Sequence, residues 1–180
     1  MSTEHRPLVL VSAASGRGST TRIAEVIGQT LASHGIAVDI AAPAAVDSIE
    51  DYDAVILGSA VYAGSWLASA RDFAIRLHDP LADRLVWLFS SGPVADRSGE
   101  LIESMEQEPA DVTRIRQAVA VSGHRVFAGK LDAHALGIAQ RASLLVSHGT
   151  GGDFRDWSAI TQWADAIAAE LTAREAKEPS

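Results

Sequence analysis

With 180 residues, of which 47% are apolar, the chain can bury one sizeable core; it is short for two, so one domain with its core at about residues 8–172 is expected. A net charge of −8 argues against binding to nucleic acid or to an anionic membrane surface, because both require clustered Lys and Arg. The absence of cysteine excludes disulfides, thiolate metal sites and cysteine nucleophiles, and the cytoplasm is the expected compartment.

The first third of the chain begins an alternation of short apolar runs with segments of helical period, which is typical of β-α-β units. Residues 8–12 are predicted to form a strand rather than a signal peptide, since the apolar run is short and leads into a Gly-rich turn. A helix follows, for which Ser19 or Thr20 is the expected cap and Gly35 the expected end. Residues 36–41 are predicted to form a second strand.

The middle of the chain continues the alternation. Residues 54–58 form a continuous apolar run typical of a central strand, and residues 66–77 have helical spacing. Residues 85–89 predict a fourth strand that the Ser-Ser-Gly-Pro sequence at 90–93 stops. Residues 96–111 carry many carboxylates with no histidine at ligand spacing, so they predict a solvated excursion and no metal site.

The last third supplies the remaining elements. Residues 113–120 predict a helix and residues 125–131 a fifth strand, while residues 133–147 suit either a short helix or a flap. A final helix follows Asp156, a good cap, and ends in a frayed polar tail. This order predicts an α/β fold: a doubly wound, five-stranded parallel sheet with strand order 2-1-3-4-5 and helices on both faces. No apolar run approaches the roughly 20 residues that span a bilayer, so no transmembrane segment and no peripheral membrane contact are expected.

The loop after the first strand combines glycines and hydroxyl residues where a helix begins. Backbone N–H groups and the positive end of the helix dipole converge there, which favours an anion; the alternative is an ordinary tight turn with a Ser/Thr cap. The loop lacks both the Gly-Lys-Ser/Thr ending of a triphosphate site and the three-glycine dinucleotide spacing. It suits one terminal phosphate, and its predicted contacts are Ser15, Gly16, Arg17, Gly18, Ser19 and Thr20.

Two further loops are predicted to meet this one, because ligands of such sheets bind at the carboxyl ends of the strands where the strand order reverses. The loop after the third strand is built of small residues that admit a flat ring, and Tyr62 or Trp66 either stacks on that ring or packs in the protein. The predicted ring contacts are Ala60, Val61, Tyr62, Ala63 and Gly64, with Ser90, Ser91, Gly92 and Pro93 after the fourth strand forming the remaining wall.

These loops resemble those of flavodoxins: Ser15, Gly18 and Thr20 match the phosphate loop, and residues 58–64 match the ring-binding loop. Residues 126–131 and 154–164 are similar to the branch of flavodoxin-domain proteins that contains menaquinone-dependent protoporphyrinogen oxidase. The resemblance covers about residues 8–168 and implies a flavodoxin-like fold with FMN bound at the residues named above. Arg17 departs from the pattern, since many flavodoxins have a hydroxyl residue there; it either pairs with the phosphate or points to solvent.

The resemblance to the oxidase branch is weaker for substrate and membrane contact, because residues 130–148 contain only Lys130 and Arg141 as fixed cations. Four histidines are predicted to be structural or solvated, and two flank the predicted flap: His5, His34, His78 and His124 in the first group, His134 and His148 in the second. No Ser-His-Asp arrangement can be read from spacing, because such residues meet only in the fold.

The function predicted from these features is an FMN-dependent, flavodoxin-type oxidoreductase or electron-transfer protein that serves a redox partner protein or a quinone-like or porphyrinogen-like substrate. Because the flavin itself carries the electrons, no side-chain acid or base is assigned. Three alternatives remain: an electron carrier without its own substrate, a protein that binds a deazaflavin and transfers hydride, and a cofactor-free adaptor.

Overall fold

A computed structural model describes residues 6–92, 108–129 and 155–177. Its strands are β1 (Leu8–Ala14), β2 (Ala37–Ala41), β3 (Ala54–Tyr62), β4 (Ser65–Trp66), β5 (Leu85–Gly92) and β6 (Val121–Ala128). Its helices are α1 (Ser19–Ser33), α2 (Ala68–Arg76), α3 (His78–Ala82), α4 (Ala110–Ala118) and α5 (Trp157–Glu175), with a short 3-10 turn at Pro43–Ala45.

The sheet has the order β2-β1-β3-β5-β6 with all these strands parallel, and the short β4 pairs antiparallel with β3. Leaving β4 aside, the five parallel strands have the predicted order 2-1-3-4-5. The predicted α/β fold is therefore confirmed.

Both faces of the sheet are covered, as parallel sheets require. Alternate residues of β1 show this, since Val9 and Val11 pack against α1 and α5, whereas Leu10 packs toward α2 and α4 on the opposite face. Within the described part of the chain, no helix is long and apolar enough to cross a membrane.

The strand registers bring the carboxyl ends of β1, β3 and β5 together. Ala14 of β1 pairs with Ser59 of β3, which in turn pairs with Ser90 of β5. The ends of these three strands therefore lie side by side, at the edge where the sequence places the site.

Two strands run further than their apolar cores predict. β3 continues to Tyr62 rather than ending at residue 58, because it forms a hairpin with β4. β5 continues through residues 90–92, which pair with β6, so the predicted stop after residue 89 is wrong. Residues 121–124 also pair with β5, so β6 begins before the predicted residue 125.

Two helix starts differ from the prediction. α2 begins at Ala68 rather than at Trp66, because Trp66 belongs to β4. α4 begins at Ala110, and Asp111, predicted to be solvated, is 5% exposed and accepts a hydrogen bond from the Trp66 backbone N at 2.8 Å. Three predicted features lie outside the described residues: Pro93, residues 96–107 of the acidic excursion, and the helix or flap at residues 133–147.

The final helix starts as predicted. The Asp156 carboxylate accepts a hydrogen bond from the backbone N of Ala159 at 3.0 Å, which satisfies one of the unpaired donors of the first turn.

The end of α1 also agrees with the prediction. Gly35 lies just after the C-cap residue His34 and adopts φ +81°, the left-handed conformation that commonly ends helices.

Candidate functional site

The loop between β1 and α1 is closed by the Ser15 side chain. Its Oγ accepts hydrogen bonds from the backbone N of Gly18 at 2.9 Å and of Thr20 at 3.3 Å. Gly18, at φ +83°, is the N-cap residue, and its carbonyl accepts the first helical bond, from Arg22 N at 3.1 Å. The cap is therefore Gly18 with the Ser15 hydroxyl, not Ser19 or Thr20, because glycine adopts the left-handed conformation without penalty and Ser15 supplies the missing oxygen.

The outer surface of this loop is formed by Gly16, Arg17 and Gly18, which are all exposed. A Cβ added at Gly18 would meet no atom within 4 Å, so the space above this residue is open. Thr20, by contrast, is 1% exposed. The loop thus presents an open surface with two glycines at the positive end of a helix of 15 residues.

The loop after β3 is a tight hairpin. Tyr62 pairs with Ser65, and the two residues between them have positive φ, 48° at Ala63 and 77° at Gly64, as a two-residue hairpin turn requires. A left-handed alanine costs about 1–2 kcal/mol, which the packing at the base of the hairpin must offset.

Tyr62 joins the two loops. Its side chain is 54% exposed, and its hydroxyl oxygen lies 3.0 Å from the position that a Cβ on Gly16 would occupy. The tertiary structure thus brings the predicted phosphate loop and the predicted ring loop into contact, with an aromatic ring beside Gly16.

The base of the hairpin is buried. Trp66 is 2% exposed, its indole Nε1 donates to Ser90 Oγ at 2.9 Å, and the backbone N of Leu67 donates to Ser59 Oγ at 2.9 Å. Trp66 therefore fixes the hairpin from below, and Tyr62 is the aromatic residue that the hairpin exposes.

The end of β5 forms the third side of the site. Ser90 and Ser91 are buried, at 0% and 5% exposure, and the backbone N of Gly129 donates to the carbonyl of Gly92 at 2.6 Å. The hydroxyl of Ser90 is hydrogen-bonded to Trp66 and His124 inside the protein. Ser90 is a predicted ligand contact, but its side chain is occupied by these two protein groups.

A cluster of aromatic rings lies beneath these strand ends. Phe89 packs against Gly58, where a Cβ would overlap the Phe89 ring. The Phe89 ring centroid lies 6.2 Å from those of Phe127 and Trp163. Gly58 is thus required because an aromatic ring of β5 occupies the space of its side chain.

One cation near the phosphate loop was not singled out from the sequence. Arg155 Nη1 lies 3.5 Å from the carbonyl oxygen of Ser19, and its guanidinium is 4.4 Å from the centroid of the Trp157 ring. Arg155 precedes α5, which packs beside α1, so this proximity depends on helix packing that no local pattern records. His124, predicted to be structural or solvated, is structural, since its side chain is 6% exposed and bonded to Ser90.

A cleft of about 660 Å³ flanks the hairpin on the side of α4, and its lining includes Val61, Gly64, Glu108, Pro109 and Thr113. In the described ranges, no group of three or more His, Asp or Glu side chains is arranged to hold a metal ion.

The residues present fit a flavin monophosphate. A glycine-containing loop at a helix start suits one phosphate, because its small residues let the phosphate approach the backbone and the helix dipole is positive there. The exposed Tyr62 ring stands beside this loop.

The comparisons with known proteins agree with this geometry. The model of the family described as "Flavodoxin domain" matches residues 10–155. No curated protein sequence matches the chain.

Among solved structures, the flavodoxin of Streptococcus pneumoniae TIGR4 superposes with a TM-score of 0.62 at 18% identity, covering 93% of this chain and 99% of that one. Flavodoxin 2 from Bacillus cereus has a TM-score of 0.52 at 25% identity, covering 66% of this chain and 82% of that one. Rubredoxin oxygen:oxidoreductase from Desulfovibrio gigas has a TM-score of 0.58 at 19% identity, covering 97% of this chain but 39% of that one. Because the family model spans most of the chain, the protein belongs to the flavodoxin domain family.

Proposed function

We propose that this protein binds FMN at the carboxyl ends of β1, β3 and β5 and uses it to transfer electrons to and from partner proteins. The observation that carries the proposal is the contact between the two predicted binding loops, in which the exposed Tyr62 lies against Gly16 and the space above Gly18 is open. Membership of the flavodoxin domain family supports the choice of a flavin.

In this proposal the phosphate is held by residues 15–20 and the ring by residues 60–64 and 90–93, with Tyr62 against one ring face. The bound flavin supplies the electron-transfer chemistry. The protein residues position it: Ser15 fixes the phosphate loop through Gly18 and Thr20, and the Trp66 base fixes the hairpin. Arg17 and Arg155 add positive charge near the phosphate.

A protein partner is proposed in preference to a small substrate because the chain carries a net charge of −8, and complementary charge steers association between proteins. A quinone-like or porphyrinogen-like substrate, as in the oxidase branch that the sequence resembles, is the competing outcome. Turnover of menaquinone analogues and protoporphyrinogen by the isolated protein would establish that activity instead, because a carrier cycles only when partner proteins are present.

The test of the cofactor is a paired titration with FMN and riboflavin, followed by flavin fluorescence. FMN should bind more tightly than riboflavin by at least about tenfold, because only FMN carries the phosphate. Ser15→Ala should reduce this preference, whereas Ser33→Ala, an exposed serine at the other end of α1, should not. Equal affinity for the two ligands would refute the phosphate site, and no binding of either would refute the flavin site.

The molecule that co-purifies from a native-like host should be identified by mass and absorbance. FMN supports the proposal. A deazaflavin, or a pocket that stays empty after incubation with every candidate flavin, contradicts it.

A further inference from the structure

A chain of neighbouring polar side chains, buried except at its last member, connects the base of the hairpin to the residues just before α4. We call it the Trp66 relay and define it as Trp66, Ser90, His124 and Glu108. Trp66 Nε1 lies 2.9 Å from Ser90 Oγ, Ser90 Oγ lies 2.9 Å from His124 Nε2, and His124 Nδ1 lies 3.7 Å from Glu108 Oε2. Ser90 is fully buried and the His124 side chain is 6% exposed.

The direction of each hydrogen bond follows from the chemistry of its donor. The indole N–H of Trp66 can only donate, so Ser90 Oγ accepts from it. The Ser90 hydroxyl then has its own hydrogen to place, and His124 Nε2 accepts it only when that nitrogen carries no proton. The remaining ring proton is on Nδ1 and faces the Glu108 carboxylate. The relay is complete when His124 is neutral.

The relay acts on the hairpin because Trp66 belongs to β4, one of the two paired strands of the hairpin. Trp66 pairs with Val61 and is also held through its backbone N by Asp111 at 2.8 Å. The turn between the paired strands contains the left-handed Ala63, so a loosened base lets a strained turn relax. Tyr62, which contacts the phosphate loop, immediately precedes this turn.

We propose that Ser90 and His124 are positioning residues that hold the hairpin of residues 62–65 in its flavin-binding form while His124 is neutral, and that protonation of His124 releases it. This inference rests on the proposed function for its ligand. A fall in pH would then weaken binding of the flavin ring system.

Protonation disrupts the relay in a definite way. His124 Nε2 becomes a donor to Ser90 Oγ, which already accepts from Trp66, and the Ser90 hydrogen loses its acceptor in a position with no solvent exposure. Burial lowers the pKa of His124; the Glu108 carboxylate raises it and the Arg116 guanidinium lowers it. Arg116 also lies 3.6 Å from Glu108, so within the described residues these two opposite charges face the ring from the side of α4.

The experiment is a titration of the purified protein with FMN and with riboflavin between about pH 5 and pH 8, where histidine changes charge. Affinity for both ligands should fall by the same factor, about five- to tenfold, as the pH is lowered, since the buried Ser90 hydroxyl hydrogen is left without an acceptor. Riboflavin is the decisive ligand because it has no phosphate of its own to titrate. A fall for FMN alone would overturn the proposal.

His124→Gln tests the assignment, because the glutamine side-chain oxygen can accept from Ser90 and does not titrate. This variant should bind flavin at high pH and lose the acid-dependent fall. The matched control is His34→Gln. His34 is exposed, caps the far end of α1 and is bonded to Asp165 of α5, so this variant should keep the acid-dependent fall in affinity. A fall that persists in His124→Gln, or is absent from the unmodified protein, would overturn the proposal.

Hydrogen exchange of the ligand-free protein separates this proposal from the flavin assignment and needs no variant. Protection factors of the Ser65 and Trp66 amides should drop on acidification, because Ser65 pairs with Tyr62 and the Trp66 backbone N donates to Asp111. If the drop occurs and no flavin binds at any pH, the proposed function fails and the relay stands. If protection stays constant through the titration of His124, the relay is overturned even where flavin binds.

Discussion

Three buried serines on neighbouring strands should respond differently to the same substitution. Ser12 of β1, Ser59 of β3 and Ser90 of β5 are each 0% exposed. Ser59 Oγ accepts from Leu67 N, and Ser90 Oγ bonds to Trp66 and to a histidine. Ser12 Oγ has no hydrogen-bond partner, and in the described part of the chain it is the one buried side-chain oxygen or nitrogen without one.

The magnitudes follow from how many groups each alanine leaves unpaired. A buried polar group without a partner costs about 1–3 kcal/mol. Ser90→Ala leaves two such groups, so the free energy of unfolding should fall by about 2–4 kcal/mol after partial relaxation. Ser59→Ala also removes two hydrogen bonds, one from Leu67 N and one to the Ala60 carbonyl, so a similar loss of about 2–4 kcal/mol is expected. Ser12→Ala removes an unpaired hydroxyl and should be neutral or stabilising by about 1 kcal/mol.

Thermal unfolding followed by circular dichroism measures all three variants in one buffer. At about 2–4 °C per kcal/mol for a chain of this size, Ser90→Ala should lower Tm by roughly 5–15 °C while Ser12→Ala leaves it unchanged or raises it by a few degrees. Each variant loses one oxygen of the same volume, so cavity effects largely cancel. A loss for Ser12→Ala equal to that for Ser90→Ala would refute the reasoning from hydrogen-bond partners.

Four other outcomes are expected. Gly58→Ala should lower the free energy of unfolding in a denaturant titration by about 1–3 kcal/mol, because the added Cβ overlaps the Phe89 ring. In the same titration Gly123→Ala should be neutral or stabilising, because the nearest atom to its added Cβ is 3.4 Å away. Ser15→Ala should cost about 0.5–2 kcal/mol through loss of the cap on α1, and an unchanged midpoint would contradict that role. Arg17→Ala should weaken FMN binding about tenfold without affecting riboflavin, and equal losses would exclude a phosphate contact. Burial holds the pKa of His124 in the folded protein below its ordinary 6.5, so the unfolded chain binds this proton more readily. The stability that neutral His124 contributes should therefore be present above pH 6.5 and lost as the pH falls through the pKa of the folded state, as urea unfolding midpoints would show.

The order of apolar runs was sufficient to predict the parallel sheet. A strand covered on both faces must be continuously apolar, as residues 54–58 are, and helices that cover such a sheet show their spacing locally. Glycines and hydroxyl residues after β1 located the phosphate loop for a similar reason, since the chemistry of a helix start depends on adjacent residues.

Element boundaries depended on partners distant in sequence. Residues 90–92 resemble a turn but continue β5 because β6 pairs with them. Trp66 has the spacing of a helix residue, yet Asp111 and Ser90, 45 and 24 positions away, hold it in a hairpin.

The sequence by itself determined the fold class and the loop at residues 15–20, because periodicity and turn chemistry are local properties of a chain. Only the tertiary structure decided which loop residues meet. It placed Tyr62 against Gly16, buried Trp66 beneath the hairpin and joined Ser90 to His124, because hydrogen bonds and packing between strands depend on three-dimensional proximity that spacing does not encode.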